Sequence, residues 1–403
     1  MPDEGQRPER PLRADRQNWS RVAITGLGKS QVGRRLGRTP VDLTIEACLR
    51  AIDDAGLSRA DIDALVTYPG GRGPTAGVEI PEVQDALDLD LRWYFGGGEC
   101  PSSPPALVNA CMAVSCGLAR HVLVYKSVVE AARQGTEGRK GIENLRIIPA
   151  MQWAVDWMAP FGSLGIPNWV APYAQRHMHE HGITREQLGW IPIVQRQHAG
   201  LNPQALYRDP LTMDEYLSAR MISDPLCLYD CDVPVDMSIA IIVSSADALA
   251  DVRPNPVRLE AVGMALYDRP SWDQFSDGPS AGRDAARELW SQTSLTPADV
   301  DVALLYDGFS ILALMHLEAL GFCGPGEGGA FVEGGQRISL GGAIPLNTDG
   351  GHLSAGRSRG FGQIYEACVQ LRGEGGARQV AGAEVAVAGG GGGPVSTFLL
   401  LTR

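Results

Sequence analysis

No window of this chain is apolar for long enough to cross a bilayer as a helix, so no membrane insertion is expected. Positive charge is in deficit: 35 Lys and Arg against 47 Asp and Glu leave a net charge of −12 and an isoelectric point near 5.1. A nucleic-acid partner needs a basic stripe, and this balance excludes one. The eight cysteines lack paired spacing, which argues against a disulfide framework and for reduced thiols in a cytoplasmic protein. Metal binding is not expected either. Cys227 and Cys231 have no second pair, and His177, His179 and His181 stand two apart, where helical positions diverge by about 200°. The first 20 residues are polar and Arg-rich without an apolar stretch, and read as a flexible arm, not a secretory signal.

What is present is a repeat. Leu57-Ser-Arg-Ala-Asp61-Ile-Asp63-Ala-Leu-Val-Thr-Tyr68 returns without a gap as Leu295-Thr-Pro-Ala-Asp299-Val-Asp301-Val-Ala-Leu-Leu-Tyr306. Each copy reads as a helix end, a capped turn and a buried strand. A separation this long is not a solenoid period, and 403 residues exceed what one core usually supports. The expectation is an α/β fold of two similar halves, with chemistry at the edge where their strands end. Residues 1–20 form the arm, 21–250 the first half and 251–403 the second. A Trp- and Pro-rich stretch from about 127 to 222 interrupts the alternation and is expected to form a cap.

Five ordered motifs carry a resemblance. They are Tyr306-Asp-Gly-Phe-Ser310; Gly326-Glu-Gly-Gly329 with Phe331-Val-Glu333; Asn347-Thr-Asp-Gly-Gly351; Glu366-Ala-Cys-Val-Gln-Leu-Arg-Gly373; and the glycine run 389–393. Together they resemble the thiolase superfamily, and within it the lipid-transfer-protein branch that includes sterol carrier protein X thiolase and the steroid side-chain aldolases. The resemblance implies a layered αβαβα sandwich of two duplicated halves with the cap inserted in the first.

It also implies a catalytic set that this chain holds only in part. Cys100 falls at or next to the position of the thiolase nucleophile. The family's Gly-His-Pro turn reads Gly356-Arg357-Ser358, and the second cysteine position falls at Ala388 or a neighbour. Claisen chemistry needs one group to activate the nucleophile and another to take the α-proton, so ordinary thiolysis is not expected. The resemblance places a catalytic Tyr of the aldolases at Tyr306, next to Asp307.

Arg357 cannot act as a base. It is expected either to stabilise a Tyr306 phenolate, to hold an enolate oxygen or a carboxylate, or to be a surface residue. His352 is a candidate replacement for the missing His, or lines the pocket. Cys100 precedes a helix that would lower its pKa, or is a small buried loop residue. Cys48, Cys111, Cys116 and Cys368 are expected in helical cores. The backbone of Gly390, Gly391 and Gly392, with Gly351, is expected to hold the thioester oxygen.

The leading expectation is a retro-aldol lyase acting on a β-hydroxyacyl-CoA thioester, a steroid side chain among the possible substrates. Acyl transfer through Cys100 and a non-catalytic acyl-CoA-binding scaffold stand as alternatives. No tightly bound cofactor is expected beyond coenzyme A as part of the substrate. The resemblance implies a homodimer, and a small OB-fold, zinc-ribbon partner completing a heterotetramer.

Overall fold

The computed structural model describes residues 19–67, 77–96, 104–131, 156, 158–163, 165–253, 255–266, 280–392 and 395–403. The first half runs β1 (Val22–Lys29), α1 (Pro40–Ala55), β2 (Ala64–Thr67), α2 (Ile80–Leu87), β3 (Trp93–Gly96), α3 (Pro104–Ser115) and β4 (His121–Val129). Then come α4 (Ile166–His181), α5 (Arg185–Gly200), α6 (Met213–Ser218) and the hairpin of β5 (Met221–Ser223) and β6 (Leu226–Cys227). The half closes with β7 (Asp236–Ser245). The second half comprises β8 (Val257–Leu266), α7 (Ser280–Ser291), β9 (Val302–Leu305), α8 (Ser310–Ala319), α9 (Gly328–Val332), α10 (Phe361–Arg372), β10 (Val385–Gly390) and β11 (Val395–Thr402).

The strand order β3-β2-β4-β7-β1-β8-β11-β10-β9 displays the duplication. Around the short β1–β8 junction each half repeats one scheme. β1 is antiparallel to β7, β7 to β4, and β4 is parallel to β2; β8 is antiparallel to β11, β11 to β10, and β10 is parallel to β9. Strand residues alternate between two cores, as the pleat requires. Val122 and Val124 of β4 join a central core with α3 and α10, while Leu123 and Tyr125 face α1. Likewise Val302 and Leu304 of β9 face the centre, and Ala303 and Leu305 face α7 and α8. The layers are therefore helix, sheet, central helices, sheet, helix.

The repeated sentence performs one job twice. Asp61 accepts hydrogen bonds from the backbone and hydroxyl of Ser58, both at 2.7 Å, and Asp299 does the same for Thr296 at 2.8 and 2.7 Å. Asp63 accepts the N–H groups of Arg120 and His121, where β4 begins. Asp301 accepts those of Glu384 and Val385, where β10 begins. Two glycines at matching places let helix backbone touch strand backbone. A Cβ on Gly28 would collide with the Ala47 carbonyl of α1, and one on Gly263 with the Ala285 carbonyl of α7.

In the stretch expected to form a cap, Trp169 is fully buried, while Trp153 and Trp157 lie outside the described residues. Cys48, Cys111 and Cys368 are buried in helices as expected. Cys116 is a correction: it follows the last turn of α3 and is exposed, because the helix ends one residue before it. No helix among the described residues is long and apolar enough to cross a membrane.

Candidate active site

Tyr306 leaves β9 at its C-terminal end, where its N–H donates to the Gly389 carbonyl at 2.7 Å. The phenol folds back over Gly308, where a Cβ would come within 2.7 Å of its oxygen. Among the described residues the hydroxyl has no hydrogen-bond partner, and the side chain is only partly buried. His352 meets the ring edge-on, with centroids 5.1 Å apart and planes at 85°.

Asp307 points the other way and is fully buried. Its Oδ2 accepts the backbone N–H groups of His352 at 2.8 Å and Leu353 at 3.4 Å, and its Oδ1 accepts from Gln363 Nε2 at 3.1 Å. It thus braces the turn Gly351–Ala355, and burial pushes its carboxyl up to about 8. Gly351, expected at the thioester, packs against this carboxylate so closely that any side chain would collide with Oδ2; its N–H goes to Asp349 Oδ1 at 2.9 Å. Asn347 acts as a substitute strand: its amide donates to the Leu305 carbonyl at 2.9 Å and its Oδ1 accepts the Leu305 N–H at 2.7 Å.

A strap of residues 230–236 laces these loops together. Asp232 N–H donates to the Gly308 carbonyl, Val233 N–H to the His352 carbonyl, Arg357 N–H to the Val233 carbonyl, and Glu130 N–H to the Val235 carbonyl. Asp230, also buried, accepts from Ser310 at the start of α8 and from the Tyr216 hydroxyl. The strap carries one of the two carboxylates that meet Arg357. Arg357 Nη1 lies 3.1 Å from Asp232 Oδ1, its Nη2 pairs with Glu130, and Arg359 takes the other oxygen of Glu130 through Nε at 3.1 Å. Arg357 Nε is buried without a partner among the described residues.

These charges decide the protonation states. Burial pushes Tyr306 up, Asp232 adds to this, and Arg359 and Arg357 oppose it, leaving the phenol at about 12. Burial, then the two guanidiniums, drive His352 down to about 3, so it is neutral and a poor proton acceptor beside two cations. Burial would raise Glu130, but Arg359 and Arg357 outweigh it and hold the carboxyl at about 2. Lys126, buried on β4 near Arg359, is lowered to about 7 by burial first and by that guanidinium second.

The glycine turn carries a member that sequence reading did not include. Gly391 N–H points to Nε2 of His316 at 3.4 Å, and the imidazole lies so close to Gly390 that a Cβ there would sit 2.7 Å from the ring. His316 is buried in α8 and lowered to about 4 by burial.

Tyr306, Asp307, His352 and Arg357 therefore come together, with Gly389 and the turn to Gly392 beyond them. Cys100 and Tyr68 lie outside the described residues. Glu130, Asp232, Arg359, Ser358 and His316 were not selected from sequence. The one available signal was the alternation Arg357-Ser-Arg359, since two cations entering a core require carboxylates to meet them. His177 and His181, four apart, meet edge-on at 4.7 Å with His177 on Glu318; among the described residues no His, Cys, Asp and Glu group is placed to hold a metal.

Comparison with known proteins finds relatives along most of the chain. Residues 270–401 match the family model "Thiolase C-terminal domain-like". The chain is 35% identical to the 17-hydroxy-3-oxo-4-pregnene-20-carboxyl-CoA lyase of Mycobacterium tuberculosis, over 94% of this chain and 98% of that one. It is 34% identical to a steroid side-chain-cleaving aldolase of Thermomonospora curvata, over 87% and 90%. Among solved structures, an Ltp2-ChsH2(DUF35) aldolase superposes with a TM-score of 0.84 at 30% identity, covering 95% of this chain and 98% of that one.

Proposed function

We propose, because the chain belongs to the thiolase superfamily and shares a branch with steroid side-chain-cleaving aldolases, that it is an acyl-CoA-dependent carbon–carbon lyase acting on a steroid side chain. The reaction is retro-aldol cleavage of a β-hydroxyacyl-CoA thioester to a ketone and a shorter acyl-CoA. The observation that carries this reading is Tyr306. A phenol with no hydrogen-bond partner among the described residues stands at the strand end, beside an Arg where a thiolase would hold its His.

In this mechanism the Tyr306 oxygen takes the proton of the β-hydroxyl. The electrons of that O–H bond form the ketone carbonyl, the Cα–Cβ bond breaks, and its pair passes into the thioester as an enolate. The α-carbon then takes a proton, completing the acyl-CoA product. Two guanidiniums oppose, without overcoming, the burial that keeps the phenol protonated, so the reaction runs through the small phenolate fraction. The unpartnered Nε–H of Arg357 is the donor we assign to developing negative charge on the substrate. Gly391 is a weaker candidate, since its N–H already faces His316. His352 and Asp307 position these groups and do not exchange protons with substrate.

The assembly completes the proposal. β3 ends the sheet with Tyr94 68% exposed, which supports pairing of two copies there, in a cytoplasmic homodimer. The similarity to the aldolase Ltp2, described together with ChsH2(DUF35), supports a separate small OB-fold, zinc-ribbon companion and a heterotetramer.

The test is a panel of β-hydroxyacyl-CoA thioesters, with and without a steroid body, assayed for ketone and short acyl-CoA. Tyr306→Phe is expected to abolish release while leaving thioester binding in place. A mass adduct on Cys100 instead of ketone release points to acyl transfer and overturns the reading.

A further inference from the structure

Between Tyr306 and the start of α10 lies a hydrogen-bonded chain that proton abstraction by Tyr306 does not require. Ser358 Oγ accepts the N–H of Gly362, in the first turn of α10, at 2.9 Å. The same oxygen lies 2.9 Å from His352 Nε2. A hydroxyl carries one hydrogen and two lone pairs, so with one lone pair committed to Gly362 the contact with Nε2 can be made in either tautomer of the imidazole. Nδ1 faces Asp307 Oδ1 at 3.5 Å but has no hydrogen-bond partner, so among the described residues Ser358 supplies the hydrogen bond that holds the ring. The imidazole so fixed is the ring that meets Tyr306 edge-on.

The order Ser358–His352–Asp307 resembles the triad of a serine hydrolase, but the bond from His352 Nδ1 to Asp307 is not made. Its surroundings do not suit that chemistry. A nucleophilic serine needs the imidazole to become imidazolium, and here the ring is 1% exposed, with Arg357 and Arg359 disfavouring that charge. Ser358 itself is 4% exposed and flanked by Arg357 and Arg359. The residues of this chain hold position and do not react.

We propose that Ser358, acting through His352, is a positioning residue that fixes the angle at which the Tyr306 phenol meets its substrate. The inference rests on Tyr306 as the proton acceptor of the lyase reaction. Its physical basis is short: the hydroxyl limits the imidazole's rotation, and the imidazole edge is the contact that sets the phenol ring. Without the clip, both rings gain rotational freedom around Cα–Cβ. Misplacing a reacting group by a fraction of an ångström to an ångström costs up to about a hundredfold in rate.

The experiment uses the full-length protein and three variants, Ser358→Ala, Ser358→Thr and His352→Phe. Two readouts are taken: steady-state cleavage of a β-hydroxyacyl-CoA thioester, and the ultraviolet phenolate titration of Tyr306 without substrate, isolated by difference from Tyr306→Phe. Ser358→Ala is expected to lower kcat about tenfold or more with KM little changed, and to shift the Tyr306 titration. Ser358→Thr, which keeps the hydroxyl, is expected to restore both. His352→Phe keeps an aromatic edge and loses the hydrogen bonds; it should behave like Ser358→Ala, and serves in its place if that protein does not fold. A wild-type kcat and an unmoved titration in Ser358→Ala overturn the proposal, with the base assignment intact if Tyr306→Phe is inactive. If Tyr306→Phe retains activity, the lyase mechanism falls instead, and the substrate-free titration still decides whether Ser358 governs the phenol.

Discussion

Replacing Asp232 by Asn removes one negative charge from beside Tyr306 while keeping a side chain of the same shape. Asp232 lies 3.1 and 3.4 Å from Arg357 Nη1 and is the largest charge raising the phenol after burial itself. With it neutralised, Arg357 keeps Glu130 as a partner, but more of its positive charge reaches Tyr306. The phenol is an acid whose charged form is negative, so losing a negative neighbour lowers its pKa. A neighbouring charge moves a buried group by about one to three units, and Asp232 meets the phenol less directly than it meets Arg357, so about one unit is expected, or ~1.4 kcal/mol. The phenol at about 12 should fall towards about 11. At fixed pH below both values the phenolate fraction rises about tenfold. A weaker base returns part of that gain, so kcat/KM is expected to rise about threefold to tenfold. The assay is the pH dependence of kcat/KM from neutral pH upward, beside the phenolate absorbance titration. A titration unmoved or displaced to higher pH in Asp232→Asn refutes the electrostatic account of Tyr306.

Arg357→Met is the converse, and should displace the same profile to higher pH by about a unit or more. Glu130 is held at about 2 in the fold, below its ordinary value, so its contribution to stability is present above about 4.5 and is lost as pH falls towards about 2. Glu130→Gln should flatten the acid limb of stability measured by denaturant melts in that window, at the cost of a lower stability near neutrality. Gly263→Ala, whose methyl would meet the Ala285 carbonyl, should destabilise strongly or prevent folding, as read by circular dichroism, whereas Gly117→Ala has open space and meets only the strain of its left-handed backbone.

The duplicated fold was legible because the repeat carries its own structural instructions. Asp61 and Asp299 cap turns, and Asp63 and Asp301 tie those turns to strands some sixty to eighty residues onward, so the same letters recur where the same bonds are made. The strand-end Tyr306 and its neighbours Asp307, His352 and Arg357 were legible through motif order. Glu130 and Asp232 were not. Each follows a different strand or turn, and nothing local marks a carboxylate that will meet a cation more than a hundred residues away. Asp307 was read as chemistry because it sits beside Tyr306, but consecutive residues after a strand point apart, and its partners turned out to be two backbone donors and the Gln363 amide. The role of Gly351 was hidden for the same reason: what it makes room for is a carboxylate 44 positions earlier in the chain.

Besides the segment inserted between β4 and β7, the two halves part ways beside β9, and the site follows from it. In the first half β2 is flanked on both sides, by β4 and β3. In the second, β10 flanks β9 on one side, and on the other Pro345 to Asn347 stand in for a missing strand, with Leu346 bridged to Ala303 as Tyr94 is paired with Leu65. A true strand fills its edge with backbone alone. The substitute needs the Asn347 side chain to complete the ladder at Leu305, and so ends there. From that point the chain turns back across the strand end, and this is why His352, Arg357 and Ser358 arrive over Tyr306 before α10 begins. The chemistry is asymmetric because only one half replaces a strand with a turning loop. Replacing Asn347 by Ala should therefore unpair Leu305 at the strand end, leave the rest of the sheet paired and misplace the loop. Far-ultraviolet circular dichroism should stay near wild type while cleavage is lost; retained cleavage would show that the loop is held by the strap of residues 230–236 alone.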